Sequence, residues 1–329
     1  MRIGMVVEAG KGFGLGHYMR SRILASEFVA RGWSVDLHLR GDLEVMAFRP
    51  YPPCTLRHTL ATTAMDDLVH EVVHDQQSRS WDWMIVDGYQ VAATQLIPAG
   101  AAHCPIVQFD DLAEGEAAAT LVINSSAAAS TEVGRLLGGS QYALVDPAYV
   151  AVGAARIVKP GLERALIAFG GADRADWTSR VVTQLRQAAP NLALDVVIGP
   201  LNTSGMVSAE AERLTVHRSP DGLQQLMAQA DLLIGAAGST VWEACAAGLP
   251  MILLQTVDNQ AHMLARAVES GAAYGHAERA LTHLPADLKA MADRVVRQTM
   301  SQRGRQLVDG QASQRIADRM QDTYSGSIS

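Results

Sequence analysis

Short apolar runs alternate along the chain with stretches whose apolar positions recur at helical spacing, the pattern of parallel strands covered by helices. In the first half, strands are predicted at RIGMVV (2–7), SVDLHL (34–39), WMIVDG (83–88), PIVQFDD (105–111) and TLVIN (120–124). Helices are predicted from His17 to Ala30 and from Thr62 to Arg79. The second half repeats the arrangement, with strands at RALIAFGG (164–171), LALDVVIG (192–199), LTVHR (214–218), DLLIGAAG (231–238) and PMILLQ (250–255). The predicted fold class is α/β, with two Rossmann-like domains in tandem. Charge, Pro160 and Gly161 interrupt the pattern at ARIVKPGLER (155–164), which predicts a first domain at 1–156 and a second at 157–329. Beyond Leu284 the chain reads as helical to Tyr324, and the tail SGSIS has the composition of a frayed end.

Composition narrows the classes. A chain of 329 residues that is 48% hydrophobic can bury two cores, which excludes disorder. The net charge of -7 comes without any basic stripe, so duplex nucleic acid is not an expected partner, while small phosphorylated ligands remain open. Cys54, Cys104 and Cys245 are scattered in apolar surroundings without CxxC spacing, which suits a reducing compartment. The N-terminal apolar run is too short for a signal peptide, and no segment approaches the ~20 apolar residues of a membrane span. The expectation is a soluble, cytoplasmic, unprocessed protein with no membrane span, for which a monomer suffices.

In such folds ligands lie beyond the carboxyl ends of strands, which directs attention to the loops at 10–16, 87–89, 110–111, 170–173 and 235–240. The first is glycine-rich, GFGLGHYMRS (12–21). It fails as a dinucleotide fingerprint, because the third glycine position holds His17 counting from Gly12 and Gly14, and Leu15 counting from Gly10 and Gly12. It fails as a P-loop too, since five residues rather than four separate Gly4 from Gly10, and Gly12 follows Lys11 where Ser or Thr is needed. What remains is a flexible turn leading into a helix that begins with Gly16, His17 and Tyr18, and a histidine there stands over the strand ends. Position alone leaves two readings open, a partly exposed helix-capping residue and a general base. FGGAD (169–173) and GAAGSTVWEA (235–244) also run from a strand through small residues into a helix, with Ser239 or Thr240 placed to cap. Such starts offer backbone N–H groups to an anion.

Other constellations carry less. HEVVH (70–74) matches the zincin pattern, but the apolar stripe Met65, Leu68, Val69, Val72 and Val73 puts His70 and His74 on the opposite, solvated face. No further Glu occurs before Glu114, well beyond the place of a third ligand. Asp110 and Asp111 could pair on a metal, but strand-end hydrogen bonding is the preferred reading. Trp81, Trp83, Trp177 and Trp242 are too dispersed for a sugar-stacking platform. No metal and no cofactor is predicted.

The segment Gly14-Leu15-Gly16-His17-Tyr18-Met19-Arg20 resembles the G-x-G-H-x-x-R signature of the UDP-2,4-diacetamido-2,4,6-trideoxy-β-L-altropyranose hydrolases of pseudaminic acid biosynthesis. Those enzymes are similar in turn to glycosyltransferases of the GT-B fold, including the N-acetylglucosaminyltransferase of peptidoglycan synthesis. Further matching patches follow in order: Asp87 and Tyr89 in IVDGYQ, Phe109-Asp110-Asp111, NSSA from Asn124, Tyr142-Ala143-Leu144, FGGAD, GSTVWEACAAGLP (238–250) and DNQ (258–260).

The resemblance implies a GT-B-like arrangement with an interdomain cleft, a UDP-sugar substrate, and metal-independent hydrolysis of the anomeric C–O bond to release UDP and free sugar. His17 would be the general base on water, with Tyr89 and Asn259 orienting sugar or water. Gly14, Gly16, Arg20 and Asp87 would contact substrate in the first domain. Gly170, Gly171, Gly238, Ser239 and Thr240 would carry the diphosphate, Glu243 would accept from the ribose hydroxyls, and Gln260 would contact the nucleotide; His262, three residues after Asn259 on a predicted helix, is placed by its spacing to touch the ligand. The sequence departs from the family at Val6 and Glu8, where Arg-x-Asp is usual, at Gly88, where Asp-His-Tyr is usual, and at Val145-Asp146, where an Arg usually follows Tyr-Ala-Leu. These departures fall on the sugar side. Two alternatives are retained: a GT-B glycosyltransferase in which His17 deprotonates an acceptor hydroxyl, and a non-catalytic nucleotide-sugar-binding protein.

Overall fold

The apolar runs form the inner strands of two sheets in a computed structural model of the chain. The structure describes residues 1–10, 13–44, 46, 50–100, 104–111, 118–127, 131–171, 173, 175–202, 213–277 and 281–326; Lys11, Gly12, Glu114, Ala172 and residues 327–329 of the tail, all discussed above, lie outside them. The chain divides into two compact units, Met1–Leu144 with Gln311–Ser329, and Val145–Gly310.

The first unit contains β1 (Arg2–Ala9), α1 (Gly16–Ala30), β2 (Ser34–Gly41), β3 (Thr55–Thr59), α2 (Met65–Arg79), β4 (Trp83–Asp87), α3 (Ala93–Leu96), β5 (Ile106–Phe109), β6 (Leu121–Asn124), β7 (Thr131–Val133) and β8 (Leu136–Gly138). The sheet order is β3-β2-β1-β4-β5-β6-β8-β7, parallel except for the β7–β8 pair. Both faces are covered, and the two-residue period of a strand sorts the side chains. Ile3, Met5 and Val7 of β1 pack with Leu24 and Phe28 of α1, whereas Val6, with Met84 and Val86 of β4, packs with Leu68 and Val72 of α2. Glycine closes α1: Gly32 takes a positive φ, its N–H bonds Val29 O, and the Trp33 N–H bonds Phe28 O, a Schellman ending.

The second unit contains α4 (Pro147–Ala155), β9 (Arg164–Ala168), α5 (Trp177–Ala188), β10 (Ala193–Ile198), β11 (Leu214–Arg218), α6 (Gln224–Gln229), β12 (Leu232–Ala236), α7 (Thr240–Ala246), β13 (Met251–Leu254), α8 (Ala261–Glu269), β14 (Ala273–His276), α9 (Leu284–Met291) and α10 (Arg294–Leu307). Its order is β11-β10-β9-β12-β13-β14, all parallel. In each unit the first strand lies between the second and the fourth of the inner set, so the connections leave it in opposite directions. That is a topological switch point, and it lies at the carboxyl ends of β1 and β4 in one unit and of β9 and β12 in the other.

The division differs from the predicted boundary at 156/157 at both ends. α4 belongs with the second unit, because Gly153 lies against the Ala246 carbonyl so closely that a Cβ would collide with it. Just beyond α4, the Arg156 guanidinium caps the carbonyls of Ala247, Ala230 and Met227. The final helix α11 (Ala312–Gly326) returns to the first unit, where Ile316, Ala317 and Met320 join the core beside α1, and Arg31 pairs with Asp318 at 2.7 Å. The helical reading after Leu284 is broken twice, by the Asp293 side chain, which caps α10 through the Val295 N–H, and by Gly310 at positive φ. The edge strand β3 and the short β7, β8 and β14 were not predicted; β3 is mostly exposed and the other three have only three or four residues each, too few for a pattern.

Candidate functional site

The glycine turn is folded on itself. Gly10 and Gly14 form a two-residue antiparallel bridge, with Gly10 N to Gly14 O at 2.9 Å and Gly14 N to Gly10 O at 2.7 Å, and the Phe13 N–H also bonds Gly10 O. Both glycines have positive φ, +121° and +83°, which explains the residue type. The N–H groups of Gly10, Phe13 and Gly14 are thus used within the turn, which leads directly into α1. His17 is the second residue of that helix.

The structure corrects one expectation about His17. It is not open at the strand ends but buried, with its side chain 5% exposed. The reason is helical periodicity: the buried positions of α1 are His17, Tyr18, Ser21, Leu24, Ala25 and Phe28, a stripe at three- and four-residue spacing that faces the sheet. His17 is the polar end of that stripe, beside the carboxyl end of β4.

There it meets Asp87. His17 Nδ1 lies 2.7 Å from Asp87 Oδ1, and Arg20, one turn along α1, bonds the same carboxylate through Nε at 2.7 Å and Nη2 at 2.5 Å. Arg20 Nη1 reaches on to both oxygens of Asp111, at 2.8 and 2.9 Å, and the guanidinium lies over the Phe109 ring, 4.5 Å from its centroid. Burial alone would raise the Asp87 carboxyl; Arg20 and His17 outweigh it and hold it at about 2. Burial likewise works against the Arg20 cation, and Asp111 and Asp87 together more than compensate.

An ionised carboxylate can only accept, so Nδ1 of His17 carries its hydrogen and donates to Asp87. The 3.0 Å separation of Arg20 Nη2 from the same Nδ1 is then an approach of two donors sharing one oxygen. In the neutral ring the lone pair is then on Nε2. The edge of the ring meets Tyr89, centroids 4.6 Å apart at 79°, and Tyr89 itself is 45% exposed.

Two of the family departures are linked to each other here. Glu8, at the end of β1, is fully buried; its carboxylate accepts from Arg40 Nη1 at 2.7 Å and from the Gln90 N–H at 2.9 Å. A Cβ on residue 88 would run into that carboxylate, so Glu8 in this position needs glycine at 88. Glu8 thereby pins the loop that carries Tyr89. Arg40 completes the arrangement through Gln90 Oε1 and the carbonyls of Ala61 and Thr63. Sequence reasoning missed Arg40; the only trace it left was an arginine inside an apolar strand.

In the second unit, Gly170 and Gly238 stand just past β9 and β12, on either side of the switch point, with nothing within 4 Å of a Cβ built on either. Gly170 needs glycine for its φ of +82°. Gly238 has neither a positive φ nor crowding to require one, so the fold itself does not account for the residue type there. Gly171 follows Gly170 in the same loop, and its carbonyl accepts from the Leu201 N–H.

The helix starts differ from expectation. The α5 start is occupied, since the buried Asp173 carboxylate accepts from the N–H groups of Trp177 and Thr178 at 2.9 and 2.7 Å, and a second anion there would be repelled. Ser239 sits at the N-cap of α7 but its backbone is already helical and its side chain makes no capping bond; Thr240 is the first helical residue. Glu243, one turn on, is half-buried. Asn259 and His262 are exposed, and Gln260 turns inward to accept from Thr256 N at 2.8 Å. His17, Arg20, Asp87 and Tyr89 are thus brought together in the first unit, with Gly14 in the turn leading to them and Gly16 at the first position of α1. The remaining expected residues belong to the second.

On α2, His70 and His74 are exposed opposite the buried Leu68, Val69, Val72 and Val73, and Glu71 bonds Thr59, as the apolar stripe predicts. Asp111 is committed to Arg20. Among the described residues no cluster of His, Cys, Asp or Glu is suited to a metal ion, and no helix is long and apolar enough to cross a membrane. A recess of about 1130 Å³ bordered by Lys159, Arg164, Arg213 and Lys289 lies at the amino-terminal ends of β9 and β10, away from the residues above.

Comparison with known proteins bears on both units. Residues 169–320 match the glycosyltransferase family 28 C-terminal domain. The chain is 30% identical over 96 residues to the uncharacterized protein MJ1062 of Methanocaldococcus jannaschii, covering 27% of this chain and 20% of that protein. It is 26% identical over 212 residues to the spore coat polysaccharide biosynthesis protein SpsG of Bacillus subtilis, covering 59% of this chain and 60% of that one. The chain thus spans about a fifth and three fifths of the lengths of these curated relatives.

Among solved structures, Acinetobacter baumannii MurG superposes with a TM-score of 0.70 at 17% identity, covering 98% of this chain and 99% of that one. The spinosyn forosaminyltransferase SpnP gives 0.69 at 14%, covering 99% of each. The S. aureus MnaA–UDP co-structure gives 0.63 at 14%, covering 96% and 94%. The fold is therefore the GT-B-like one expected, with two parallel-sheet α/β domains.

Proposed function

We propose that the protein breaks the anomeric C–O bond of a UDP-linked sugar and passes the sugar to a hydroxyl oxygen, with His17 as general base. One observation carries this: Asp87, ionised and 2.7 Å from Nδ1, fixes the hydrogen on that atom and leaves Nε2 as the basic nitrogen. Nε2 takes the acceptor's proton, the acceptor oxygen bonds to the anomeric carbon, and the bonding pair of the breaking C–O bond leaves with UDP. Asp87 stabilises the imidazolium that forms. His17 is covered on one side by the exposed Tyr89, so an incoming hydroxyl packs beside or displaces that ring.

Nucleotide binding is assigned to the second unit. Gly170, Gly171, Gly238, Ser239 and Thr240 lie at the diphosphate, Glu243 at the ribose and Gln260 at the nucleotide, with Asn259 and Tyr89 as orienting groups and Gly14, Gly16 and Arg20 on the sugar side. The family 28 match over this unit, the UDP bound to one solved neighbour and the open glycine at 238 support that assignment. The family match and the spore coat polysaccharide relative favour an acceptor hydroxyl on a saccharide. The resemblance of Gly14–Arg20 to the hydrolase signature favours water instead, releasing UDP and a free diacetamido-trideoxy sugar.

Incubation with a set of UDP-sugars, with and without saccharide acceptors, separates these readings when free UDP and reducing sugar are followed by NMR. Transfer gives UDP only with acceptor; hydrolysis gives UDP and free sugar in equal amounts without it. Tight UDP binding with no release from any sugar overturns both and leaves a binding protein.

A further inference from the structure

Glu243 has a neighbour that no motif singles out. Tyr149 stands in the first turn of α4, after the N-cap Asp146, and is buried at 4% exposure. Its hydroxyl accepts from the Leu223 backbone N–H at 3.2 Å, at the start of α6, and hydrogen-bonds the side chain of Glu243 on α7. Burial first, and then the nearby Glu243 charge, push the phenol well above its ordinary value, so it stays protonated. A phenol has a single hydrogen, and here it goes to the carboxylate.

The arrangement has more order than a half-exposed glutamate needs for its own sake. A Glu in the first turn of a helix is satisfied by water and by the helix dipole. Recognition of a cis-diol is more demanding, since both hydroxyls must find acceptor oxygens in one plane, and a freely rotating carboxylate loses entropy when it is fixed. One bond from a buried, rigid phenol fixes the rotamer in advance and leaves the other lone pairs for the ligand.

We propose that Tyr149 is a positioning residue, which holds the Glu243 carboxylate ready to accept from the two ribose hydroxyls of a uridine diphosphate. This rests on the ribose role assigned to Glu243 above. The second unit thereby selects ribonucleotides through a side chain that never touches them.

The test compares UDP with 2′,3′-dideoxyuridine 5′-diphosphate by calorimetric titration of the full chain and of Tyr149→Phe, Glu243→Gln and the double variant. The parent chain is expected to prefer UDP at least ~10-fold, the scale of hydrogen bonds to a charged group. Y149F should keep the parent affinity for the dideoxy nucleotide, lose most of the preference, and cost nothing further when Glu243 is already Gln. If Y149F weakens both nucleotides equally, or leaves the preference intact, the positioning role is overturned while UDP binding stands. A parent chain that binds both nucleotides alike removes the ribose role of Glu243 and this proposal with it. No binding of UDP at all removes the nucleotide reading as well.

Discussion

His17 and Asp87 are 70 positions apart in the chain, and their side chains meet at 2.7 Å between Nδ1 and Oδ1. Helix α1 carries one and the end of β4 the other. The contact settles which ring nitrogen bears the hydrogen, because Asp87 can only accept, and it puts the single basic lone pair on Nε2. If that lone pair does the chemistry, His17→Ala should lower kcat at least ~10²-fold while UDP affinity stays roughly unchanged. Steady-state turnover with the best UDP-sugar, paired with UDP titration, measures both; normal turnover in the variant removes His17 from the mechanism.

Asp87 also ties acid stability to this site. Its carboxyl is held at about 2 against an ordinary 3.8, so the unfolded chain binds the proton more tightly than the folded one. The contribution is full above pH 3.8 and is lost as the pH falls towards 2, a change of about 2 kcal/mol. The stability advantage of the parent chain over Asp87→Asn should therefore shrink between about pH 4 and pH 2. Chemical denaturation of both across that range checks it, and an advantage that is constant with pH contradicts it.

Gly238 separates fold from ligand. A Cβ there meets nothing within 4 Å and the backbone conformation is ordinary, so Gly238→Ala should change stability by no more than ~0.5 kcal/mol. If a diphosphate lies against that backbone, the added methyl should weaken UDP binding about tenfold or more. Thermal melts without nucleotide and UDP titration give the two numbers independently.

Asp111 is bound to Arg20 through both oxygens, which leaves it poorly placed to hold a cation. Turnover should survive EDTA. Asp111→Asn should act through Arg20 instead, loosening the guanidinium from Asp87 and reducing kcat more than UDP affinity. Strong inhibition by EDTA that added Mg²⁺ or Mn²⁺ reverses would return the acidic pair to a metal-binding role.

The fold was largely written in the local pattern, because strands buried on both faces show as apolar runs and α2 as a stripe, down to the exposed His70 and His74. The turn before His17 was legible as well, since wrong glycine spacing excludes both phosphate cradles without coordinates. Even the burial of His17 was available in principle. It shares the spacing of Ser21, Leu24 and Phe28, which places it on the buried stripe of α1.

Partnerships between distant positions could not be read in this way. Nothing local says that Asp87 joins His17 and Arg20, that Glu8 needs glycine at 88, that Asp173 fills the start of α5, or that Tyr149 holds Glu243. The same holds for the last helix, which is legible as helical but not in its place against α1. Periodicity is set by each residue's own backbone geometry and by water, which act over a few positions. Pairings of buried charges form only when the sheet order brings strand ends and helix starts together, so the sequence by itself determined the elements and tertiary structure alone decided which charged groups meet.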